Sequence, residues 1–279
     1  MLLAGGARPR YSTGRGLGGT DLSHLDLRAR DLSNIDLVGA DLVGANLTRR
    51  DLTGALLTGA HLAGANLIGA NLAHANLANA DLTGALLTSA HLAGANLIGA
   101  NLNRVNLTDA DLTHADLAHA RLSESFLVHA DLTHATLTGA VLREANLSDA
   151  NLAYARLPKA DLSGAVLNRA DLAHAILNSA NLSDALLTGA HLADANLIEA
   201  NLTMANLHAA NLVGANLTDA IVTRANLVNI TWSESTHWPY AAYDAMMLER
   251  SVPIGNGHWR VQGSGNNGAD ASVPPTPVH

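Results

Sequence analysis

Leucine occupies every fifth position from Leu22 to Leu227, with Val222 as the one substitution. The run contains no insertion or deletion, so its 42 positions define 210 residues, 20 to 229, of a five-residue repeat. A period of five fits neither the 3.6-residue stripe of an amphipathic helix nor the alternation of a strand. It predicts a repeat architecture in which each copy stacks on its neighbours.

The residues around each leucine recur just as regularly. The residue two positions before it is Ala in 35 of 42 copies, and the residue directly before it is Asp in 12 and Asn in 16. Residues two apart in extended backbone point the same way, so Ala and Leu should face the interior and Asp or Asn the solvent. With this Ala-[Asp/Asn]-Leu-x-x consensus over about three quarters of its length, the chain resembles the pentapeptide repeat family.

The resemblance implies an all-β fold, the right-handed quadrilateral parallel β-helix, in which four pentads form one square coil of twenty residues. The 42 pentads would make about 10.5 coils and, at the usual strand spacing, a rod about 50 Å long. Residues twenty apart should then stack in columns on one side of the rod. Each buried leucine should contribute about 1.5 to 3 kcal/mol.

Composition changes at both ends of the repeat. Residues 1–19 are rich in Gly and Arg and are expected to form a flexible leader. Residues 230–262 are expected to form a C-terminal cap with one short helix, because Pro239 can open a helix on which Tyr243, Met246 and Met247 share a face. The Gly- and Pro-rich residues 263–279 are predicted to be a disordered tail.

Charge and cysteine content narrow the function classes. The formal net charge is −8 and the pI about 5.9, which argues against a nucleic-acid binder. There is no cysteine for a thiolate nucleophile, a thiolate metal site or a disulfide, and no apolar stretch long enough to span a membrane. We therefore expect a cytoplasmic protein without a cofactor. Outward side chains on a convex rod form no concave pocket, so we do not expect an enzyme.

One side of the predicted rod is the most acidic. This acidic side is centred on Leu32 and on every twentieth residue after it, and it carries six acids against two bases. We predict it as an interaction surface formed by Asp31, Asp51, Asp111, Asp131, Asp171 and Asp194. The two bases, Arg30 and Arg50, fall at inward positions, where an unpaired guanidinium is costly. They predict either a distortion of the first coils or an anion site, and distortion is the favoured interpretation.

Four histidines fall in one column of the acidic side: His74, His114, His134 and His174. His114 and His134 should lie one coil apart, about 4.8 Å. Imidazole and carboxylate are ordinary ligands of divalent metals, so metal binding is one interpretation. The other, which we favour, is that histidine is a tolerated polar residue at a corner, because no third converging ligand can be identified.

The side centred on Leu27 is the least charged, with three acids and three bases, and we name it the apolar side. Its outward positions include Leu86, Phe126, Val166 and Leu186, a candidate surface for a partner. A second candidate, for a homodimer, is the cap residues Trp232, Trp238, Tyr243, Met246 and Met247.

Three functions remain open on the sequence alone. The leading hypothesis is a non-enzymatic protein-interaction scaffold with an unknown protein partner. The second comes from the resemblance, which implies a DNA-mimicking rod that binds DNA gyrase and protects against drugs or toxins. The repeats carry a net charge of −9, whereas about 50 Å of duplex DNA carries roughly thirty charges, so such a mimic would be dilute. The third is a structural rod that associates with itself.

Overall fold

A computed structural model describes residues 16–262 of the chain. From residue 17 onward the backbone winds as a right-handed quadrilateral β-helix, with parallel bridges between residues twenty apart such as Asp111 with Asp131. In each coil the leucine N–H donates to the coil above, as from Leu42 to the carbonyl of His61 at 2.7 Å. The predicted coil of four pentads is confirmed.

Leucine and alanine fill the interior. Through the middle of the rod these side chains have no solvent exposure, as at Leu132 and Ala135. Leucine from each of the four sides meets at the axis, so a larger residue than alanine beside it would overpack the column. The stability is therefore that of a stacked array in which each coil packs only on its neighbours.

Each corner is a β-turn whose third residue has a left-handed backbone. Ala45 N–H donates to the carbonyl of Leu42 at 3.0 Å, and the residue before Ala45, Gly44, has φ of 62°. Gly adopts this conformation without strain. Many copies nevertheless place His, Asp or Asn there, for example His114 at φ of 57°. These polar residues point away from the coil and are the side chains available for contacts along the corner.

The Asp or Asn before each leucine fixes the next turn. Its side-chain oxygen accepts a hydrogen bond from the backbone N–H two residues ahead, as Asn151 does from Ala153 at 3.1 Å. This local bond is the reason that Asp and Asn suit the position. Asn can also donate to the coil below, as Asn201 does to Asn181 at 3.2 Å. Asp has no such donor, so a stack of Asp lacks this link.

The N-terminal coils begin earlier than predicted and are distorted. Leu17 N–H donates to Asp36 at 2.7 Å, so residues 17–19, assigned to the leader, already follow the coil because Leu17 keeps the repeat's phase. Residues 1–15 lie outside the described part of the chain. No bridge joins Asp31 to Asp51; instead the Arg50 guanidinium lies 3.5 Å from the carbonyl of Arg30. The distortion expected at the two arginines is present.

The C-terminal segment first continues the coil and then leaves it. Trp232 and Trp238 occupy inward positions, and Leu217 N–H donates to the carbonyl of His237 at 2.7 Å. The elements that follow the repeats are β1 (Thr231–Ser233), α1 (Ala241–Glu249), β2 (Ser251–Gly255) and β3 (His258–Val261). The strands form an antiparallel sheet in the order β1-β3-β2. Residues 263–279, the predicted tail, lie outside the described residues.

Candidate interaction surface

Five of the six predicted acids form one column on the acidic side. Asp31, Asp51, Asp111, Asp131 and Asp171 all directly precede an inward leucine. Each carboxylate accepts the backbone N–H two residues ahead, as Asp111 does from Thr113 at 3.0 Å. The hydroxyl of that same Thr113 also donates to Asp111, at 2.7 Å. These bonds hold the carboxylates in fixed positions without a Lys or Arg partner.

At Asp51 these bonds favour the ionised carboxylate, because the hydroxyl and then the backbone N–H of Thr53 lower its pKa below the ordinary value. Lys and Arg are absent from the outward positions of the acidic side between residues 31 and 214, because Arg30 and Arg50 belong to inward positions. The column therefore presents negative charge with no neighbouring cation on its own side.

Asp194 lies at the opposite edge of the acidic side. It occupies the third residue of a turn, with φ of 56°, and one carboxylate oxygen lies 3.9 Å from His174 Nδ1. His191 joins the acidic column instead, with Nδ1 at 3.2 Å from Asp171. The predicted surface is thus a column of five acids along one edge and a single acid along the other.

Stacked rings fill the edge that Asp194 shares. His114 and His134 have ring centroids 5.0 Å apart and planes 4° apart. Tyr154 continues the stack 5.0 Å beyond His134, and His174 follows at 4.7 Å. The predicted column of His114, His134 and His174 is confirmed, whereas the inclusion of Tyr154 was missed. Counting all ring residues at this phase of the repeat, and not histidine alone, would have found it.

His74 is separated from the ring stack by Gly94. Its imidazole lies across that glycine, so that a Cβ at Gly94 would come within 2.6 Å of His74 Nδ1. Each corner side chain therefore leans on the next coil, whether that coil offers a ring or a glycine. This column is continuous from His114 to His174, and His74 lies outside the continuous part.

The ring stack does not bring three candidate metal ligands together. Within residues 16–262 there is no group of three or more His, Asp or Glu side chains that could hold a metal ion. Parallel rings also direct their nitrogen lone pairs side by side, not toward a common point. The arrangement supports the second interpretation of the histidines, polar rings that stack at a corner.

The apolar side carries its exposed residues where the sequence places them. Leu86, Phe126 and Leu186 are exposed and Val166 is half-buried. Asn106 and Asn146 interrupt them in the same column. The surface is therefore a row of separated apolar residues, not one continuous patch.

The proposed dimer residues of the cap lie inside the protein. Trp232, Trp238, Tyr243 and Met247 are buried, and Met246 packs partly buried against the same apolar cluster. Burial raises the pKa of Tyr243. These side chains fill the end of the rod because the leucine column stops there, which fits their expected place in the cap. A homodimer through the cap stays a prediction.

In the described part of the chain, helices that are long and apolar enough to cross a membrane are absent.

The repeats match a known family model. The model for pentapeptide repeats matches in eight copies, across residues 20–59, 51–88, 90–127, 126–164, 145–184, 165–203 and 190–229. These matches span the whole leucine repeat. Among curated proteins, none matches this chain.

Solved structures similar to this chain include two cyanobacterial proteins. HetL, a pentapeptide repeat protein of Nostoc sp. strain PCC 7120 involved in heterocyst differentiation regulation, is 35% identical, with 77% of this chain and 90% of HetL covered and a TM-score of 0.40. Rfr23, a pentapeptide repeat protein of Cyanothece 51142, is 30% identical, with 51% and 90% covered and a TM-score of 0.23. QnrB1, a plasmid-mediated fluoroquinolone resistance protein, is 16% identical, with 84% and 96% covered and a TM-score of 0.27.

Proposed function

Because the chain belongs to the pentapeptide repeat family, we propose that it is a non-enzymatic scaffold that binds a basic protein partner through its acidic side. The observation that carries the proposal is the column of Asp31, Asp51, Asp111, Asp131 and Asp171, held by backbone hydrogen bonds on a side whose outward positions lack Lys and Arg.

Rigidity supports this assignment. The carboxylates are fixed by turn hydrogen bonds and the opposite edge is fixed by ring stacking, so little side-chain freedom is lost when a partner binds. Fixed negative charge also accelerates the approach of a basic partner and selects against acidic ones. The outward side chains radiate from a convex surface, which supports a binding role over a catalytic one.

The test removes negative charge from the acidic side and keeps the hydrogen bonds of the turns. Asp111→Asn, Asp131→Asn and Asp171→Asn together keep the turn-forming oxygen, because Asn occupies the same position in many coils. The matched control is Asp21→Asn, Asp41→Asn and Asp81→Asn, at the same repeat position on the opposite side. We expect a partner captured from the native host to be lost with the first triple variant and kept with the second. Equal binding by both variants would exclude the acidic side.

A type II topoisomerase is the second candidate partner, and the acidic column is the feature that favours it. Five carboxylates over seven coil spacings, about 34 Å, are far fewer than the phosphates of duplex DNA over that length. A gyrase supercoiling assay distinguishes the candidates. Inhibition or drug protection that disappears in the acidic-side triple variant would support gyrase, and no effect at micromolar protein would exclude it.

A further inference from the structure

The charges on the apolar side are arranged so that they face opposite charges on a second copy of the chain that runs in the reverse direction. Between residues 46 and 229 its outward positions hold four residues that are ionised at neutral pH: Arg49, Asp109, Asp149 and Arg169. These charges sum to zero, whereas the 42 pentads together carry twenty acids and eleven bases. This is therefore the side that opposes a second copy with the least repulsion.

Reversal of the rod pairs unlike charges. A second copy can face the apolar side with its axis antiparallel, related by a two-fold axis that passes between the coils of Phe126 and Asn146. Each column of residues then lies opposite the same column of the second copy, which runs in the reverse direction. Asp109 therefore faces Arg169 of the second copy, and His129 faces Asp149 of the second copy. By the two-fold symmetry each of these pairings occurs twice.

The apolar residues agree with the same register. Leu86 faces Leu186 of the second copy, and Phe126 lies beside the two-fold axis opposite Asn146 of the second copy. If the second copy is displaced by one coil in one direction along the rod, Asp109 faces Asp149 of the second copy. If it is displaced by one coil in the other direction, Asp149 faces Asp149 of the second copy. The register that pairs the ten coils from residue 46 to residue 229 is the one of these three that avoids like charges.

Contacts within one chain leave these groups available. The carboxylate of Asp109 has no hydrogen bond or ion pair within the described part of its own chain. Arg169 donates from Nε and one Nη to Asp149 at 2.7 and 2.6 Å, which leaves its other terminal nitrogen for an acceptor on a second copy. The Phe126 side chain is 51% exposed at the centre of the row.

We propose that a second copy of this chain packs antiparallel on the apolar side, centred between Phe126 and Asn146. Contact over ten coils, about 48 Å, by about 10 Å in width would bury about 1,000 Å² in total, at the lower limit of a specific interface. The dimer is accordingly weak. It goes beyond the proposed function, since the acidic side takes no part in the contact.

The arrangement has a consequence for binding. The two-fold axis lies in the plane of contact, perpendicular to the rods, so it keeps both acidic sides on the same flank of the dimer. A partner with two basic segments could engage both copies, and the second contact would be intramolecular. Self-association on one side thus increases the avidity of the neighbouring side.

Sedimentation over a range of concentrations tests the contact. Phe126→Glu should raise the dimer dissociation constant at least about 10-fold, because it places a carboxylate at the centre of the contact. Leu56→Glu is the matched control, since Leu56 holds the same repeat position on the opposite side and is 44% exposed. A wild-type chain that stays monomeric up to about 1 mM, or a Phe126→Glu chain that associates like wild type, would overturn the proposal.

Charge reversal and spin labels test the register. Asp109→Lys should weaken the dimer about 3- to 10-fold, whereas Asp219→Lys, at the same turn position on another side, should not. Because the chain has no cysteine, Thr58→Cys and Thr218→Cys on the far side can each carry one spin label. The distance between two Thr58 labels should exceed that between Thr58 and Thr218 labels on different copies, since like labels are displaced by about 38 Å along the rods. The reverse order would exclude antiparallel packing.

Discussion

The two ends of the rod differ in how the repeat stops. In the N-terminal coils, Arg30 and Arg50 occupy inward positions, the bridge between Asp31 and Asp51 is missing, and Leu25 is 47% exposed. At the C-terminal end, Ile230, Trp232 and Trp238 are buried and a three-stranded sheet follows. A pentad specifies the coil above and below it, but it does not specify an end. Ending the array requires residues that the repeat does not use.

Side-chain size explains how the C-terminal end of the leucine column is covered. Trp232 and Trp238 meet edge to face with ring centroids 5.8 Å apart, and Trp232 stacks on Trp259 at 6.1 Å. Large rings can cover the leucine column where no further coil exists. A guanidinium at an inward position instead seeks backbone carbonyls and displaces the ladder, as Arg50 does. The same inward position therefore strengthens or weakens an end according to its side chain.

The largest expected effect is at Trp238. Trp238→Ala should destabilise the C-terminal end by about 3 to 5 kcal/mol, because it removes a buried ring and leaves a cavity. Hydrogen exchange at the Leu217 amide, which donates to His237, should accelerate. The Leu42 amide should not change, since coils interact with nearest neighbours.

Trp238→Phe is the matched control for that variant. The indole N–H of Trp238 has no hydrogen-bond partner within the described residues, so its loss removes no bond. We expect a change below about 1.5 kcal/mol. If Trp238→Ala were also nearly neutral, the ring would not be closing the end.

The opposite end should gain stability when its irregular residue is removed. Arg50→Ala restores the usual inward residue and frees the Arg30 carbonyl for the Asp51 N–H. One added ladder hydrogen bond predicts a gain of about 1 kcal/mol. Protection of the Asp51 amide against hydrogen exchange measures it. Ala130→Arg, in the same column at mid-rod, should destabilise; a loss of stability in Arg50→Ala would show that the arginine supports the end.

The sequence predicts the middle of this protein better than its ends. The five-residue period, together with the four-pentad coil that the family resemblance implies, places His114 over His134, and the observed separation of 5.0 Å agrees with the expected strand spacing. Leu17 and Trp232 also lie in the coil and keep the five-residue phase, but their neighbours depart from the consensus, and Trp238 is one residue out of phase. A segment can join the coil if it is extended and places an apolar residue inward, even when it does not match the full pentad consensus.

The candidate surface was predicted in part for the same reason. Columns follow from numbering, so the acids Asp111 and Asp131 were placed together without a structure. The burial of a side chain at an end does not follow from numbering, so the sequence left open whether the cap tryptophans cover the rod or contact a second copy. The inclusion of Tyr154 in the ring stack follows from its phase, although its residue type differs from histidine.

The smallest expected effect concerns pH and again separates the ends. Asp26 at the N-terminal end accepts hydrogen bonds from the Arg28 side chain and backbone, which lower its pKa from 3.8 to about 2. A carboxyl whose pKa is lower in the folded chain contributes stability above its ordinary pKa and loses it as pH falls through the folded value. Protection of the Leu27 amide should therefore decline between about pH 4 and pH 2.

The Leu207 amide provides the internal reference for that measurement. It belongs to the same column and donates to the next coil at 2.9 Å, as Leu27 does, but Asn206 replaces the aspartate beside it. Its protection should change less over the same pH range, because Asn does not titrate. In Asp26→Asn the turn-forming oxygen remains and the ionisable group is lost, so the Leu27 amide should become less sensitive to acid. Equal acid sensitivity at Leu27 and Leu207 in the wild-type chain would mean that the Asp-rich coils are no more dependent on charge than the Asn-rich ones.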